Sequence, residues 1–448
     1  MDYIADIIHD ISEFVKLPTV YDPDTVAEGM PYGRYVALGY EWMKEKAKKD
    51  GFEVLEYDGH VLVIRIKDNV SPHRIDVASH LDVVAPGGGW EMDPFCGAIT
   101  EDHIYGRGTV DMKGTLILTY YVLKYIRENK LPCHRELRLV IGCDEERTMQ
   151  DMRYYIEKAG APDFAFTPDG KFPYSLGEKG ALMWTLDGEM DTCIEELEGG
   201  VQCNVVSPIA RVKLKGTSLI EHYRAYLKDY PYPAEVDCDG EDTTVALQGK
   251  AAHASVPKEG FSATVHLLKM IAEVNNDPLA ALLYRCFQDH YGSGAGIAYD
   301  IPPMGKLTVN LGVLKISQGK LMAQVDCRYP KGISSELLTE KLKETLAPIN
   351  ATLSYDDQPS LAEPDSPFLE VLLSTYRRIS GDAEAQPFIS GGVTYSKAIP
   401  NCVAFGPARE GDVPLAHQVN ERLERERIPE LFELYKETMI RLAGMEIT

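Results

Sequence analysis

The spacing of hydrophobic positions divides the first part of the chain into alternating amphipathic helices and apolar strands. Helical spacing is found at residues 3–16, 33–49, 115–128 and 148–159. Short apolar runs lie between these segments, at residues 52–57, 61–66, 75–78, 136–142 and 164–167, and Asp58-Gly59 is typical of a hairpin turn. This alternation predicts an α/β domain built around a central sheet.

The pattern changes after Trp184, where a less regular α+β mixture begins. The α/β character returns near Ser366-Pro367, which is typical of a helix start, and the last amphipathic helix is predicted near residues 429–443. No long polar linker joins the regions. We therefore predict one main domain formed by residues 1–180 and 363–448, interrupted by an inserted domain at residues 181–362, which is long enough to fold as a unit.

The charge balance limits the classes of partner. The 448 residues include 46 Lys and Arg against 69 Asp and Glu, which gives a net charge of −23. Such a surface repels nucleic acid and anionic membranes, and no apolar run approaches the roughly 20 residues that a membrane helix needs. The nine cysteines are scattered without a C-x-x-C pair, and the N-terminus lacks the features of a secretion signal. We expect a cytoplasmic protein with reduced thiols, either a monomer or a homodimer.

Candidate chemistry is concentrated at the predicted strand ends. His80-Leu81-Asp82, Asp111, Asp144-Glu145-Glu146 and Asp169 each end or follow a strand in successive β/α units. Taken singly, these motifs are typical of a strand-end hydrogen bond, a helix cap, a solvated turn and a β-turn. Because parallel strands place these ends at one edge of a sheet, the side chains should converge, and their negative charge would then require cations.

Three further residues stand outside this pattern. His253 lies among small residues in the segment 249–257, Arg328 lies in Asp326-Cys327-Arg328-Tyr329-Pro330, and His417 lies in a loop before the last helix. From the local pattern alone, His253 is equally well interpreted as a turn residue, and Arg328 as a surface charge at a strand end.

The order of these motifs resembles the M20 family of co-catalytic metallopeptidases and amidohydrolases, most closely its PepV-type bacterial dipeptidases. The resemblance rests on His80-x-Asp82, Gly106-Arg107-Gly108-x-x-Asp111, Asp144-Glu145-Glu146, Pro168-Asp169-Gly170, His253 and His417. It implies a zinc-peptidase-like catalytic domain with a mixed, largely parallel sheet, interrupted by an inserted α+β lid domain. It also implies a metal-dependent dipeptidase that acts on short peptides with a free C-terminal carboxylate.

The resemblance further implies two divalent metal ions, zinc before manganese or cobalt. Asp111 would bridge both ions, His80 and Asp169 would complete one site, and Glu146 and His417 the other. The bond between Asp111 and Met112 would be cis. Two cations about 3.5–4 Å apart hold a bridging water and lower its pKa, which supplies the attacking hydroxide.

The remaining roles concern proton transfer and the substrate. Glu145 would be the general base, and Asp82 would orient His80 and contact nothing else. His253 would reach across from the lid to stabilise the oxyanion. The substrate would be held by Asn204, Arg328 and Gly391.

Two alternatives to the dipeptidase remain open. Met112 stands where the dipeptidase branch often has an aspartate, and residues 147–152 match that branch only loosely, which leaves room for a deacylase of N-acyl amino acids. The segment 177–180, Arg328 and the size of the insertion favour the dipeptidase. The other alternative is a non-catalytic peptide-binding protein on the same fold, although the presence of every expected ligand and of Glu145 argues against it.

Overall fold

The computed structural model describes residues 3–446 and divides the chain into two compact units. The larger unit is formed by residues 1–177 and 362–448 and the inserted unit by residues 178–361, compared with the predicted 181–362 for the insertion. Each unit has a hydrophobic core of its own. None of the helices in the described part of the chain is long and apolar enough to cross a membrane.

The first segment of the larger unit confirms the predicted helices and strands to within about two residues. Its helices are α1 (Ile4–Val15), α2 (Arg34–Lys49), α3 (Lys113–Glu128) and α4 (Gln150–Ala159). Its strands are β1 (Glu53–Tyr57), β2 (Val61–Arg65), β3 (Arg74–His80), β4 (His103–Tyr105), β5 (Glu136–Gly142), β6 (Phe164–Thr167), β7 (Gly170–Lys171) and β8 (Ser175–Glu178).

Two features of these strands show why the sequence pattern was informative. The hairpin loop between β1 and β2 is residues 58–60, and within it Asp58 and Gly59 have the positive φ angles, 50° and 76°, that a tight turn between strands requires. Strand β3 is buried at every position, and for this reason it appears in the sequence as a continuous apolar run rather than an alternating one.

The inserted unit is an antiparallel sheet covered by helices. Its strands are β9 (Gly180–Glu189), β10 (Ile194–Gly199), β11 (Ile209–Leu214), β12 (Ala234–Asp239), β13 (Asp242–Gln248), β14 (Asp300–Ile301), β15 (Gly305–Lys306), β16 (Thr308–Ser317), β17 (Lys320–Tyr329), β18 (Asn350–Asp357) and β19 (Ser360–Leu361). Its helices are α5 (Ile220–Tyr226), α6 (Ala263–Asn275), α7 (Pro278–Phe287) and α8 (Ser335–Leu346). The main sheet has the order β12-β13-β11-β10-β16-β17-β9-β18.

The chain then completes the larger unit with α9 (Pro367–Ser380), β20 (Phe388–Ser390), β21 (Cys402–Ala404), β22 (Pro407–Ala408), β23 (Arg422–Glu424) and α10 (Ile428–Ala443). The sheet of this unit follows the order β1-β2-β5-β3-β6-β21-β8. The pairs β5–β3, β3–β6 and β6–β21 are parallel, whereas β1–β2, β2–β5 and β21–β8 are antiparallel. The sheet is therefore mixed, and the predicted parallel character is limited to its four central strands, whose carboxyl ends share one edge.

Candidate metal centre and substrate-binding residues

The common edge of the parallel strands gathers the acidic and histidine residues of the larger unit. His80 is the last residue of β3, the acidic loop (residues 144–146) follows β5, and Asp169 follows β6. Asp111 lies just before α3, and His417 lies in the loop that precedes β23. The convergence that the sequence predicted for these strand ends is present in the structure.

Asp111 lies between the two histidines. Its Oδ1 atom is 3.1 Å from Nε2 of His80, and its Oδ2 atom is 3.0 Å from Nε2 of His417. A further carboxylate stands beside each histidine: Asp169 Oδ2 is 3.6 Å from His80 Nε2, and Glu146 Oε2 is 3.0 Å from His417 Nε2. The predicted cis bond between Asp111 and Met112 is also present.

The donor atoms are close enough to share cations. Potential ligand atoms of His80, Asp111 and Glu146 lie within 4.8 Å of one another, and so do those of His80, Glu145 and Asp169. Imidazole nitrogens combined with carboxylate oxygens are ligands that zinc, manganese and cobalt accept. The residues present therefore fit two divalent ions.

The pKa values of the carboxylic acids show how much negative charge is concentrated here. Burial raises the pKa of Glu146 to about 7, and repulsion from Asp111 adds to the effect. Burial likewise raises the pKa of Asp169, and it raises that of Glu145 well above its ordinary value. Burial and mutual repulsion therefore disfavour the charged forms of these groups, and bound cations would favour them.

The pKa values of the two histidines are raised as well, which for an imidazole favours the charged form. Hydrogen bonds with Asp111 and Glu146 raise the pKa of His417 to about 10. Burial lowers the pKa of His80, but its contacts with Asp111 and Asp169 outweigh burial and raise it well above the ordinary value. Asp111 is buried too, yet its two histidine partners hold the pKa of its carboxyl group below the usual range.

The prediction for Asp82 requires a correction. Nδ1 of His80 donates to the backbone carbonyl of Asp82 at 2.9 Å, whereas the Asp82 carboxylate is 3.5 Å away. That carboxylate instead accepts hydrogen bonds from the backbone N–H groups of Glu145 (3.3 Å) and Glu146 (3.1 Å). Residues two apart point to the same side only within a strand, and β3 ends at His80, so the Asp82 side chain is free to turn elsewhere. Asp82 therefore orients His80 through its carbonyl and also holds the acidic loop.

A second buried carboxylate holds the same loop and was not predicted. Asp151 Oδ2 accepts hydrogen bonds from the backbone N–H groups of Cys143 (2.6 Å) and Asp144 (2.9 Å) and from the Tyr395 hydroxyl (2.5 Å). Both side chains are fully buried. The sequence signal was an aspartate in the first turn of α4, but helical spacing could not show that it faces the preceding loop.

In the inserted unit, the surroundings of His253 determine its tautomer. Its Nδ1 atom accepts the backbone N–H of Ser255 at 3.2 Å and lies 2.7 Å from the Ser255 hydroxyl. An N–H group can only donate, so the proton of the neutral ring is on Nε2. Burial and the positive charge of Arg328 lower the pKa of His253, which favours the neutral ring. Asn204 is a close neighbour, since its carbonyl accepts the N–H of Ala254 at 2.9 Å.

Arg328 is buried and has a counter-charge. Its Nε and Nη2 atoms donate to the two carboxylate oxygens of Asp326, at 3.0 and 2.9 Å. The interpretation of Arg328 as a surface charge is wrong, because only 7% of the residue is exposed. Asp326 was not singled out, although residues two apart on β17 share a face and the motif contained both. Gly391 lies in the larger unit, in the bend that follows β20.

Comparison with known proteins decides the family. The model of Peptidase family M20/M25/M40 matches residues 77–441. The chain belongs to this peptidase family. A protein named "Putative dipeptidase" from Staphylococcus saprophyticus is similar to it, with 28% identity over 467 residues, 99% of this chain and 98% of that protein. The M20/M25/M40 assignment confirms the resemblance of the motifs.

Solved structures show the same fold. Human carnosine dipeptidase 1 superposes with a TM-score of 0.61 at 13% identity, over 99% of this chain and 97% of that one. Aminoacylhistidine dipeptidase from Vibrio alginolyticus superposes with a TM-score of 0.58 at 12% identity, over 98% and 97% of the two chains. At these identities the likeness concerns the fold alone, and it confirms the α/β architecture predicted from the sequence.

Proposed function

We propose that the protein is a metal-dependent dipeptidase that hydrolyses the peptide bond of dipeptides with a free C-terminal carboxylate. The observation that carries this proposal is the position of Asp111, whose two oxygens face two histidines that each have a further carboxylate beside them. The name of the staphylococcal relative supports the same activity. The nine free thiols support a reducing compartment, the cytoplasm.

Two zinc ions are the proposed cofactors, with manganese or cobalt as substitutes. Asp111 would bridge them, with His80 and Asp169 on one side and Glu146 and His417 on the other. When bound, the ions supply Lewis-acid activation of a water molecule and of the scissile carbonyl group. His80 is oriented for metal binding: its Nδ1–H donates to the Asp82 carbonyl, which leaves Nε2 directed at Asp111 and the other proposed ligands.

Glu145 is the proposed general base. Its carboxylate is buried, and its backbone N–H is held by Asp82, so the side chain starts from a fixed position. A carboxyl group whose pKa is raised accepts the proton of an attacking water more readily than an ordinary glutamate. Glu145 then returns that proton to the amine that leaves.

His253, Asn204, Arg328 and Gly391 are the proposed substrate residues. Neutral His253 would donate its Nε2–H to the oxygen of the peptide carbonyl as negative charge develops there. The positively charged guanidinium group of Arg328 would bind the C-terminal carboxylate of the substrate.

The test is a substrate panel with controlled metal content. The purified protein is freed of metal by a chelator and reconstituted with zinc, manganese or cobalt. It is then assayed on dipeptides, on the same dipeptides with an acetylated amine, and on simple N-acyl amino acids. We expect metal-dependent hydrolysis of the free dipeptides with the highest kcat/KM. Preference for N-acyl amino acids, which the residue Met112 would favour, would identify a deacylase instead, and metal binding without hydrolysis would identify a peptide-binding protein.

A further inference from the structure

A buried ion pair, Arg107 with Glu421, lies behind the proposed metal centre and takes no part in the proposed chemistry. Nη1 of Arg107 is 2.7 Å from Oε2 of Glu421, and the two residues are 2% and 0% exposed. The guanidinium carbon also lies 5.1 Å from the centre of the Trp90 ring. A buried pair of this kind is weak evidence for stability, because desolvation offsets much of the attraction. Its further contacts suggest another role.

Glu421 holds the backbone of the segment that carries Asp111. Its Oε1 atom accepts hydrogen bonds from the N–H groups of Gly108 (3.0 Å), Val110 (2.9 Å) and Asp111 (3.2 Å). Three amides directed at one oxygen fix the path of this segment closely. The position of the Asp111 carboxylate therefore depends on a residue 310 positions away in the sequence.

Arg107 holds the loop that carries His417. Its Nη2 atom donates to the carbonyl of His417 at 3.3 Å, and its Nη1 atom donates to the carbonyl of Gln418 at 3.2 Å. The loop, residues 410–420, is largely exposed, and the His417 side chain is 50% exposed. Because the loop is largely exposed, we expect the position of His417 to depend on the hydrogen bonds that Arg107 donates. The position of His80 should depend less on any one such contact, because His80 is fully buried.

We propose that Arg107 and Glu421 are positioning residues that couple the two ligand-bearing segments and so set the affinity of the metal position formed by His417, Glu146 and Asp111. The pair reaches both segments at once: Glu421 fixes the backbone of the bridging residue, and Arg107 fixes the backbone of the exposed histidine. The position next to His80 and Asp169 shares Asp111 and so depends on Glu421 as well, but its other two ligands lie at the ends of β3 and β6 and not in the loop that Arg107 holds. This inference rests on the proposed two-metal site.

The test measures metal affinity directly. Zinc is titrated into the metal-free protein against a competing chromophoric chelator, which gives a dissociation constant for each position. The variants are Glu421→Gln, which keeps an oxygen for the amides but loses the charge, and Arg107→Met, which loses the carbonyl contacts. In Arg107→Met we expect one of the two dissociation constants to rise about 10- to 100-fold, as is typical for residues that support metal ligands, while the other changes little. In Glu421→Gln we expect both to rise, because Asp111 belongs to both positions. Arg107→Lys, which keeps the charge, should recover part of the loss.

The larger unit contains a matched control pair. Arg65 Nη1 is 2.9 Å from Oε1 of buried Glu136, which begins β5 at the strand end opposite the acidic loop. Glu136→Gln removes a comparable buried charge interaction far from the ligands along that strand. We expect this variant to lower thermal stability while both zinc dissociation constants stay as in the unmodified protein.

Each outcome has a definite meaning. Selective weakening of one position in Arg107→Met, together with weakening of both positions in Glu421→Gln, supports the coupling. Unchanged affinities in either variant, or equal weakening of both positions in Arg107→Met, would overturn it, as would the same weakening in Glu136→Gln. If the unmodified protein itself bound no zinc, the proposed function would fail, which is a result distinct from failure of the coupling. A melting curve for each variant shows whether it is folded, and Arg107→Lys provides the measurement if Arg107→Met is not.

Discussion

The two units differ in whether their buried charges are neutralised by other residues of the chain. In the larger unit, Asp111, Glu145, Glu146 and Asp169 lie together with histidines as their nearest cationic partners, and three of these acids retain raised pKa values. In the inserted unit, buried Arg328 has Asp326 as its counter-charge in the same strand. The first arrangement is incomplete without external cations, whereas the second is balanced by the chain itself. Substitutions of these residues in the two units should therefore have different effects on activity, metal binding and stability.

The largest effect is expected at Glu145, whose substitution should lower the rate of hydrolysis without loss of the bound metal ions. Glu145→Gln removes the proton acceptor but leaves the donors around Asp111 in place. We expect kcat to fall about 10²- to 10⁴-fold, the range for a general base, with two zinc ions still bound. Stopped assays on a dipeptide and metal analysis of the same sample measure both quantities. Full activity in this variant would exclude Glu145 as the base.

A smaller loss is expected at His253. Its role requires a neutral ring that donates through Nε2, so His253→Ala should lower kcat about 10²- to 10³-fold with little change in KM or in zinc content. Nitrogen NMR of labelled histidine reports the tautomer independently of activity. Ser255→Ala is the matched variant, because it removes only the hydroxyl beside Nδ1 and leaves the backbone N–H. Protonation on Nδ1 in the unmodified protein would contradict the proposed role.

The sequence predicted the strand ends well because their signal is local. Apolar runs identify β3, β5 and β6, and the rule that parallel strands end at one edge then brings His80, the acidic loop and Asp169 together. No contact between distant segments was needed for this step. The rule does not account for Asp111, because the strand before it, β4, pairs with β23 in a separate two-stranded sheet and not with the central strands.

The residues that hold the ligands could not be found in this way. Tyr395 meets Asp151 across 244 positions, and Glu421 meets Gly108 across 313 positions, so no local pattern connects them. Buried carboxylates directed at backbone N–H groups appear in the sequence as ordinary surface acids. Asp326 differs from these, because its spacing of two from Arg328 on a strand already indicated a shared face.

An effect of intermediate size is expected for Arg328 and Asp326, the charge pair of the inserted unit. Arg328→Met should raise KM for dipeptides about 10- to 100-fold, the value of one charged hydrogen bond, and should also lower stability by leaving Asp326 unpaired. The double variant Arg328→Met with Asp326→Asn removes the unpaired charge. We expect it to recover thermal stability while KM stays high. Recovery of KM together with stability would mean that Arg328 has no direct contact with the substrate.

The smallest effect concerns the pH dependence of the metal-free larger unit. The pKa of Glu146 is raised from 4.5 to about 7, so its contribution to stability is complete below pH 4.5 and is lost as the pH rises through 7. His417, with its pKa raised from 6.5 to about 10, loses its contribution as the pH rises through 10, in the same direction. Asp111 has a lowered pKa, and its contribution is lost only in stronger acid.

The metal-free protein should therefore melt at a lower temperature at pH 8 than at pH 5.5. Because zinc replaces the protons that these groups hold, the rise in Tm on adding zinc should be larger at pH 8. The difference should be about 1–2 °C for each kcal/mol of linked free energy in a protein of this size. Scanning calorimetry at both pH values, with and without zinc, measures it, and Glu146→Gln should flatten the dependence. A zinc effect independent of pH would show that the acidic cluster does not exchange protons for cations, and the contrast with the self-balanced pair of Arg328 and Asp326 would then disappear.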